Sequence, residues 1–123
     1  AFGAFRNIGG KILRAGAVGD IGCYSFFPTK NLGGCGDGGM VLSRDKDTAD
    51  RLRRLRVHGS GTTYYHDEIG INSRLDAIQA AILDIKLKHL EAWNEERRRL
   101  ADYYRLLFKT NGLNDVIVPP VEL

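Results

Sequence analysis

Ser25-Phe26-Phe27-Pro28-Thr29-Lys30-Asn31-Leu32-Gly33-Gly34-Cys35-Gly36-Asp37-Gly38-Gly39 is the stretch on which the reading of this chain turns. It is entered through Ile21-Gly22-Cys23-Tyr24, so residues 21–27 read as a short buried strand rich in aromatic side chains. Pro28, which has no N–H for a strand ladder, closes it. Five glycines in the seven residues 33–39 predict a tight backbone path with positive φ at several of them. Met40-Val41-Leu42-Ser43 then reads as a second strand, forming a hairpin with the first or lying beside it. Lys30 sits at the strand exit beside Phe26 and Phe27. An apolar wall there disfavours the ammonium, and a neutral lysine is the form that Schiff-base chemistry needs. The same lysine taken alone has a plainer reading as a solvated side chain. The glycines do not make a phosphate cradle: no Gly-Lys-Ser/Thr follows, and no GxGxxG opens a helix.

Outward from this stretch, a helix is expected from Asp47 or Thr48 through Leu52 and Leu55 to about Val57, with its arginines facing solvent. Residues 58–72 hold glycines and two tyrosines without helical period and read as a long loop, a length usually functional or packed on a partner. Ser73-Arg74-Leu75-Asp76 reads as a capping-box variant opening a long helix. Leu75, Ile78, Ile82 and Ile85 mark its apolar stripe, which Leu83, Leu87 and Leu90 widen, so the helix is expected deep in the core or in an interface. The pattern continues past Leu100, Tyr104 and Leu107, as one helix or as two joined near Ala92-Trp93-Asn94. Asn111-Gly112 stops it, and Val116-Ile117-Val118 begins a new strand. A helix this long between two α/β pieces suggests a connector between domains.

Of 123 residues, 43% are hydrophobic and 27% charged, which is a globular composition. The net charge of +3 is too small to argue for nucleic acid, and the basic residues alternate with acids along helices, as a solvated face does. No apolar run reaches the ~18 residues of a membrane span. No signal-peptide core is evident in residues 1–14. Cys23 and Cys35 form no CxxC and read as reduced cytosolic thiols. His58, His66 and His89 have no metal-ligand spacing. Tyr64 and Tyr65 are expected to stack on a sugar or nucleotide or to pack in an interface, and Trp93 to lie in the core. The absence of Met at the start and the Val118-Pro119-Pro120-Val121 ending predict that both ends are cut from a longer chain.

The motif from Ser25 to Gly39 resembles the lysine motif of the DegT/DnrJ/EryC1/StrS aminotransferases, fold-type I pyridoxal-phosphate enzymes acting on nucleotide-linked keto-sugars. The resemblance extends to Phe2-Gly3-Ala4, Gly19-Asp20, Arg53, Leu55-Arg56, His58-Gly59, residues 69–76, Gln79-Ala80-Ala81, Trp93-Asn94 and Arg97-Arg98. It thus covers nearly the whole chain in order. The fold it implies is α/β: residues 1–90 as the carboxyl-side part of a large pyridoxal-phosphate-binding domain, and residues 91–123 as a connector helix and the start of a small domain.

The resemblance implies that Lys30 forms the internal aldimine and later moves a proton between cofactor and substrate carbons. It implies that Ser25 bonds the cofactor phosphate, and that Asn72 reaches the phosphate held by the other subunit of a homodimer. The activity implied is transfer of an amino group from glutamate or glutamine to a nucleotide-linked keto-sugar, in the cytoplasm, with no metal. The family's pyridine-nitrogen carboxylate and ring-stacking residue fall before Ala1. These 123 residues alone are therefore expected to be inactive and marginally folded. A sugar dehydratase of the same superfamily would carry histidine where Lys30 stands. A reading of a different class is a non-catalytic interaction domain built on the long helix.

Overall fold

The computed structural model describes residues 2–62 and 64–121. Its first element is a hairpin of β1 (Phe5–Ile8) and β2 (Lys11–Arg14). Gly9 and Gly10 link them, both at positive φ (57° and 81°), as a two-residue turn matched to the strand twist requires. The Gly9-Gly10 pair is itself a two-residue hairpin signal in the sequence. β3 (Ile21–Ser25) pairs antiparallel with β4 (Gly39–Ser43), Ser25 opposite Gly39 and Tyr24 opposite Met40. This is the hairpin alternative, with β3 ending two residues before the expected Phe27.

α1 (Lys46–Leu55) starts earlier than the sequence suggests. Asp45, not Asp47 or Thr48, is its N-cap and accepts a hydrogen bond from Thr48 N at 2.7 Å. Residues 58–72 are not a structureless loop. β5 (Ser60–Thr62) and β6 (Tyr65–His66) pair there, and Val57 bridges to Asn72. Ile71 N and Ser73 N donate to Leu55 O and Arg56 O, which lays this segment along the end of α1. With Ser73 held in that extended path, the expected helix start moves to α2 (Ala77–Leu87), capped by Asp76 through Ile78 N. α3 (Leu90–Thr110) follows, and the break falls at Lys88–His89, not near Trp93. Gly112, at φ 65°, ends α3 as expected. Residues 116–118 form no strand: Val116 N and Ile117 N both turn back to Leu113 O.

The buried core is small: Phe26, Leu32, Leu83 and Leu90, with Phe2, Met40 and Leu75 packed against it. The total accessible surface of 9730 Å² compares with about 6,600 Å² for a folded monomer of this mass. The fold is therefore open, and the three sheets have two strands each among the described residues. The expected buried stripe of α2 is corrected by the same measure. Ile78 and Ile85 are 72% and 60% exposed, while Leu83 and Leu90 are buried. The helix does have a broad apolar girth, but Phe26 and Leu32 of the Lys30 turn and loop bury its Leu83 side and leave Ile78 and Ile85 exposed. Trp93 is half-buried and stacked on His89 rather than set in the core.

Candidate active site

Local backbone chemistry builds the turn that carries Lys30. At Phe26 the chain leaves the β3–β4 ladder. Its N–H donates to Gly38 O and its carbonyl accepts from Gly34 N, each at 2.7 Å. The Phe26 side chain turns into the core at 6% exposure. Phe27-Pro28-Thr29-Lys30 then makes a β-turn closed by Lys30 N donating to Phe27 O at 2.9 Å, with proline at the second position where its fixed φ is favourable. Ser25 Oγ accepts from Phe27 N at 3.3 Å. Ser25 and Lys30 are thus exposed on one short, internally bonded turn, and the Lys30 amine has no ion-pair or hydrogen-bond partner among the described residues.

The apolar wall expected around Lys30 is not formed. Phe26 points inward, Phe27 is 48% exposed, and Lys30 itself is exposed. The positive-φ expectation for the glycines also fails: none of Gly33, Gly34, Gly36, Gly38 or Gly39 adopts it. Their role is close approach. A Cβ on Gly33 would lie 2.4 Å from Pro28 O, and one on Gly34 would lie 2.6 Å from Gln79 Oε1. Glycine is required at Gly33, where the Cβ would meet turn backbone, while at Gly34 the neighbour is the end of the Gln79 side chain.

Asn72 lies elsewhere. It bridges to Val57, and its Oδ1 accepts from Arg74 Nε at 3.4 Å. Its amide Nδ2 is uncommitted, and no contact joins it to Ser25 or Lys30 among the described residues. The sequence-derived set therefore divides into a pair on one turn and a third residue apart from them. His58 and His66 meet edge-on with ring centroids 6.4 Å apart, and His66 Nδ1 lies 3.0 Å from His58 O. No group of three metal-ligating side chains occurs among the described residues. Tyr64 and Tyr65 are 90% and 73% exposed. A cavity of about 810 Å³ opens between β4, α1 and α2, lined by Met40, Leu52, Leu55 and Leu75 among others, but none of Ser25, Lys30 or Asn72 lines it. It is an apolar trough between elements and not the chemical site.

The residues fit the group that the resemblance implies. An aldehyde cofactor bearing a phosphate needs a free primary amine and short-armed donors held rigidly. Lys30 supplies the amine and Ser25 a hydroxyl on the same turn.

A family model described as the DegT/DnrJ/EryC1/StrS aminotransferase family matches residues 1–122. A UDP-N-acetyl-3-dehydro-alpha-D-glucosamine 3-aminotransferase of Acidithiobacillus ferrooxidans is 57% identical over 89 residues, covering 72% of this chain and 24% of that protein. A pleiotropic regulatory protein of Geobacillus stearothermophilus is 51% identical over 124 residues, covering 100% of this chain and 32% of that protein. The crystal structure of S. venezuelae DesV in complex with a ketimine intermediate matches with TM-score 0.69 at 51% identity, over 74% of this chain and 24% of that one. The chain spans about a quarter to a third of the length of these relatives. It belongs to the DegT/DnrJ/EryC1/StrS aminotransferase family, and its fold is the α/β fold of those enzymes.

Proposed function

We propose that this member of the family works, within a chain of its relatives' length, as a pyridoxal-phosphate-dependent aminotransferase that passes an amino group from glutamate or glutamine to a nucleotide-linked keto-sugar. The observation that carries this reading is the Phe27–Lys30 turn, which exposes a lysine amine unpaired among the described residues and is bonded at its start to the Ser25 hydroxyl. One relative is named for a UDP-sugar amination, which supports the substrate class, and another was solved with a ketimine intermediate, which supports the amino-transfer chemistry. When bound, pyridoxal phosphate supplies the electron sink for the reaction. Lys30 would hold it through Nζ and, once that amine is released, the same Nζ would carry a proton between carbons. Ser25 Oγ donates to its phosphate. Asn72 Nδ2, without a hydrogen bond among the described residues, would serve the phosphate of a second subunit in a homodimer. Residues 1–90 act as part of the large domain and residues 91–123 as the connector into a small domain, in a cytoplasmic protein. The large exposed apolar surface agrees with packing against further chain, and predicts that these 123 residues alone are inactive and self-associate.

In the full-length protein, Lys30→Ala is expected to abolish both the visible absorbance of the lysine-bound cofactor and its fixation by borohydride onto the peptide containing Lys30. A band that survives the substitution would show another lysine to be the attachment point. For the shared site, mixing Lys30→Ala and Asn72→Ala proteins restores one intact site in each mixed dimer, or about a quarter of wild-type activity under random exchange across a two-fold interface. If Asn72 serves its own subunit's site, mixing restores nothing.

The regulatory name of one relative gives a second reading weight: an interaction protein of the same fold. That protein would bind its partner equally well as wild type or Lys30→Ala. The dehydratase branch is opposed by Lys30 itself, which stands where that branch carries histidine.

A further inference from the structure

Three side chains of the α2–α3 segment hydrogen-bond the loop that follows Lys30. Asn31 Nδ2 donates to Asn94 Oδ1 at 2.9 Å. Lys86 Nζ donates to Gly33 O. Cys35 N donates to Gln79 Oε1 at 2.8 Å. The pairs run in opposite order, 31 with 94, 33 with 86 and 35 with 79, so the loop lies antiparallel along the helices. Gln79, Leu83 and Lys86 follow the i, i+4, i+7 spacing of one face of α2, and Leu90 and Asn94 the i, i+4 spacing of one face of α3. Leu83, Leu90 and Asn94 of this set are all 7% exposed or less. A buried polar group of this kind is retained only where it is satisfied. Asn94 is satisfied twice, since its Nδ2 also donates to Phe2 O at 3.3 Å.

We propose that Gln79, Lys86 and Asn94 are positioning residues for Lys30: Gln79 and Lys86 hold the backbone at Cys35 and Gly33, Asn94 holds the Asn31 side chain, and together they fix the loop against α2 and α3 and so aim the Lys30 amine. The inference rests on the reading of Lys30 as the cofactor lysine. Every other hydrogen bond to the turn among the described residues is local, from Ser25 to Gly38. These three, together with the packing of Phe26 and Leu32 against Leu83 and Leu90, reference it to elements more than forty residues away in sequence. Asn94 lies on α3, the helix proposed to enter the small domain. Its hydrogen bond to Asn31, with Leu90 packed in the same buried cluster as Leu32, joins that helix to the residue next to Lys30.

The test uses the full-length protein with Gln79→Leu, Lys86→Met and Asn94→Leu, beside the conservative Gln79→Glu and Asn94→Asp. Lys88→Met, an exposed lysine two residues from Lys86, is the control. Three quantities are read: the rate at which cofactor-free enzyme captures added pyridoxal phosphate, the pH midpoint of the resulting absorbance, and the thermal midpoint. Misaim of the amine by about 1 Å is expected to slow capture by tenfold to about 100-fold in the three apolar variants and to shift the pH midpoint. Gln79→Glu keeps the acceptor for Cys35 N. Asn94→Asp keeps the acceptor for Asn31 but loses the donor to Phe2. Both should capture the cofactor within about threefold of wild type, because the loss is one of aim and not of overall fold. Apolar variants that melt earlier yet capture at the wild-type rate, with an unchanged pH midpoint, would reduce these residues to scaffolding and overturn the proposal. So would Asn94→Asp behaving as badly as Asn94→Leu. Failure of the underlying reading looks different, since wild type itself would then form no absorbance that depends on Lys30.

Discussion

The Lys30 turn and the segment from His58 to Asn72 are both glycine-rich excursions from an α/β frame, and they are held in opposite ways. The turn sits over the buried core of Phe26, Leu32, Leu83 and Leu90 and is tied by side chains from distant helices. The second segment is tied by its own backbone and by surface charge. His58 N donates to Ile71 O, Gly59 N to Arg54 O and Asp67 N to Gly59 O, while Arg51 and Arg54 pair with Glu68. It also carries two residues other than glycine at positive φ, His58 at 63° and Tyr64 at 70°. The difference teaches that the same composition serves two purposes. In one case it is close approach that places a functional side chain, and in the other it is local curvature around a pinned hairpin.

The largest expected effect falls on the first region. Leu32→Ala removes a side chain 3% exposed and should cost about 2–5 kcal/mol, read as faster amide exchange across residues 26–38 with residues 58–72 unaffected. Equal loss of protection in both regions would show them to be one cooperative unit.

Next is Gly59→Ala. Gly59 has φ +73°, and an added Cβ would sit 1.7 Å from Glu68 O. The substitution should cost at least about 1–3 kcal/mol and open the hairpin while leaving cofactor capture at Lys30 in place. Tyr64→Gly works in the other direction: relief of a left-handed tyrosine should stabilise the hairpin by up to about 1 kcal/mol. No gain on that substitution would mean that a contact made by Tyr64 outweighs its strain.

The smallest effect is electrostatic. The hydrogen bond from Arg51, with the Arg51 and Arg54 charges behind it, holds the Glu68 carboxyl below its ordinary 4.5. A lowered folded value means that the stabilisation is fully present above the unfolded value and is lost as pH falls through the folded one. Amide protection of residues 58–68 should therefore decline below about pH 4.5, and less steeply in Glu68→Gln. The Lys30 turn should not follow, since no carboxylate ties it among the described hydrogen bonds. Arg51 and Arg54 are exposed and Glu68 is half-buried, so added salt should weaken the same protection.

Sequence alone determined the parts whose causes are local. Aromatic and branched residues made β3 and β4, an acidic cap and helix period made α1, Pro28 fixed the turn that exposes Lys30, and Asn111-Gly112 ended α3. It also supplied the ordered motifs that pointed to the family. Tertiary structure decided which face of α2 is buried. The girth of that helix is apolar on more than one side, and periodicity does not say which side finds a neighbour. The Lys30 loop covers Leu83 and Leu90 and leaves Ile78 and Ile85 to solvent. The same holds for Gly33, whose need arises from Pro28 O pressing on it and not from its own φ. Gln79, Lys86 and Asn94 had a faint signal, polar residues at helical spacing among the buried leucines. Their meaning appeared only with the loop laid against them, because a hydrogen bond between residues 44 to 63 positions apart is set by packing and not by local chemistry.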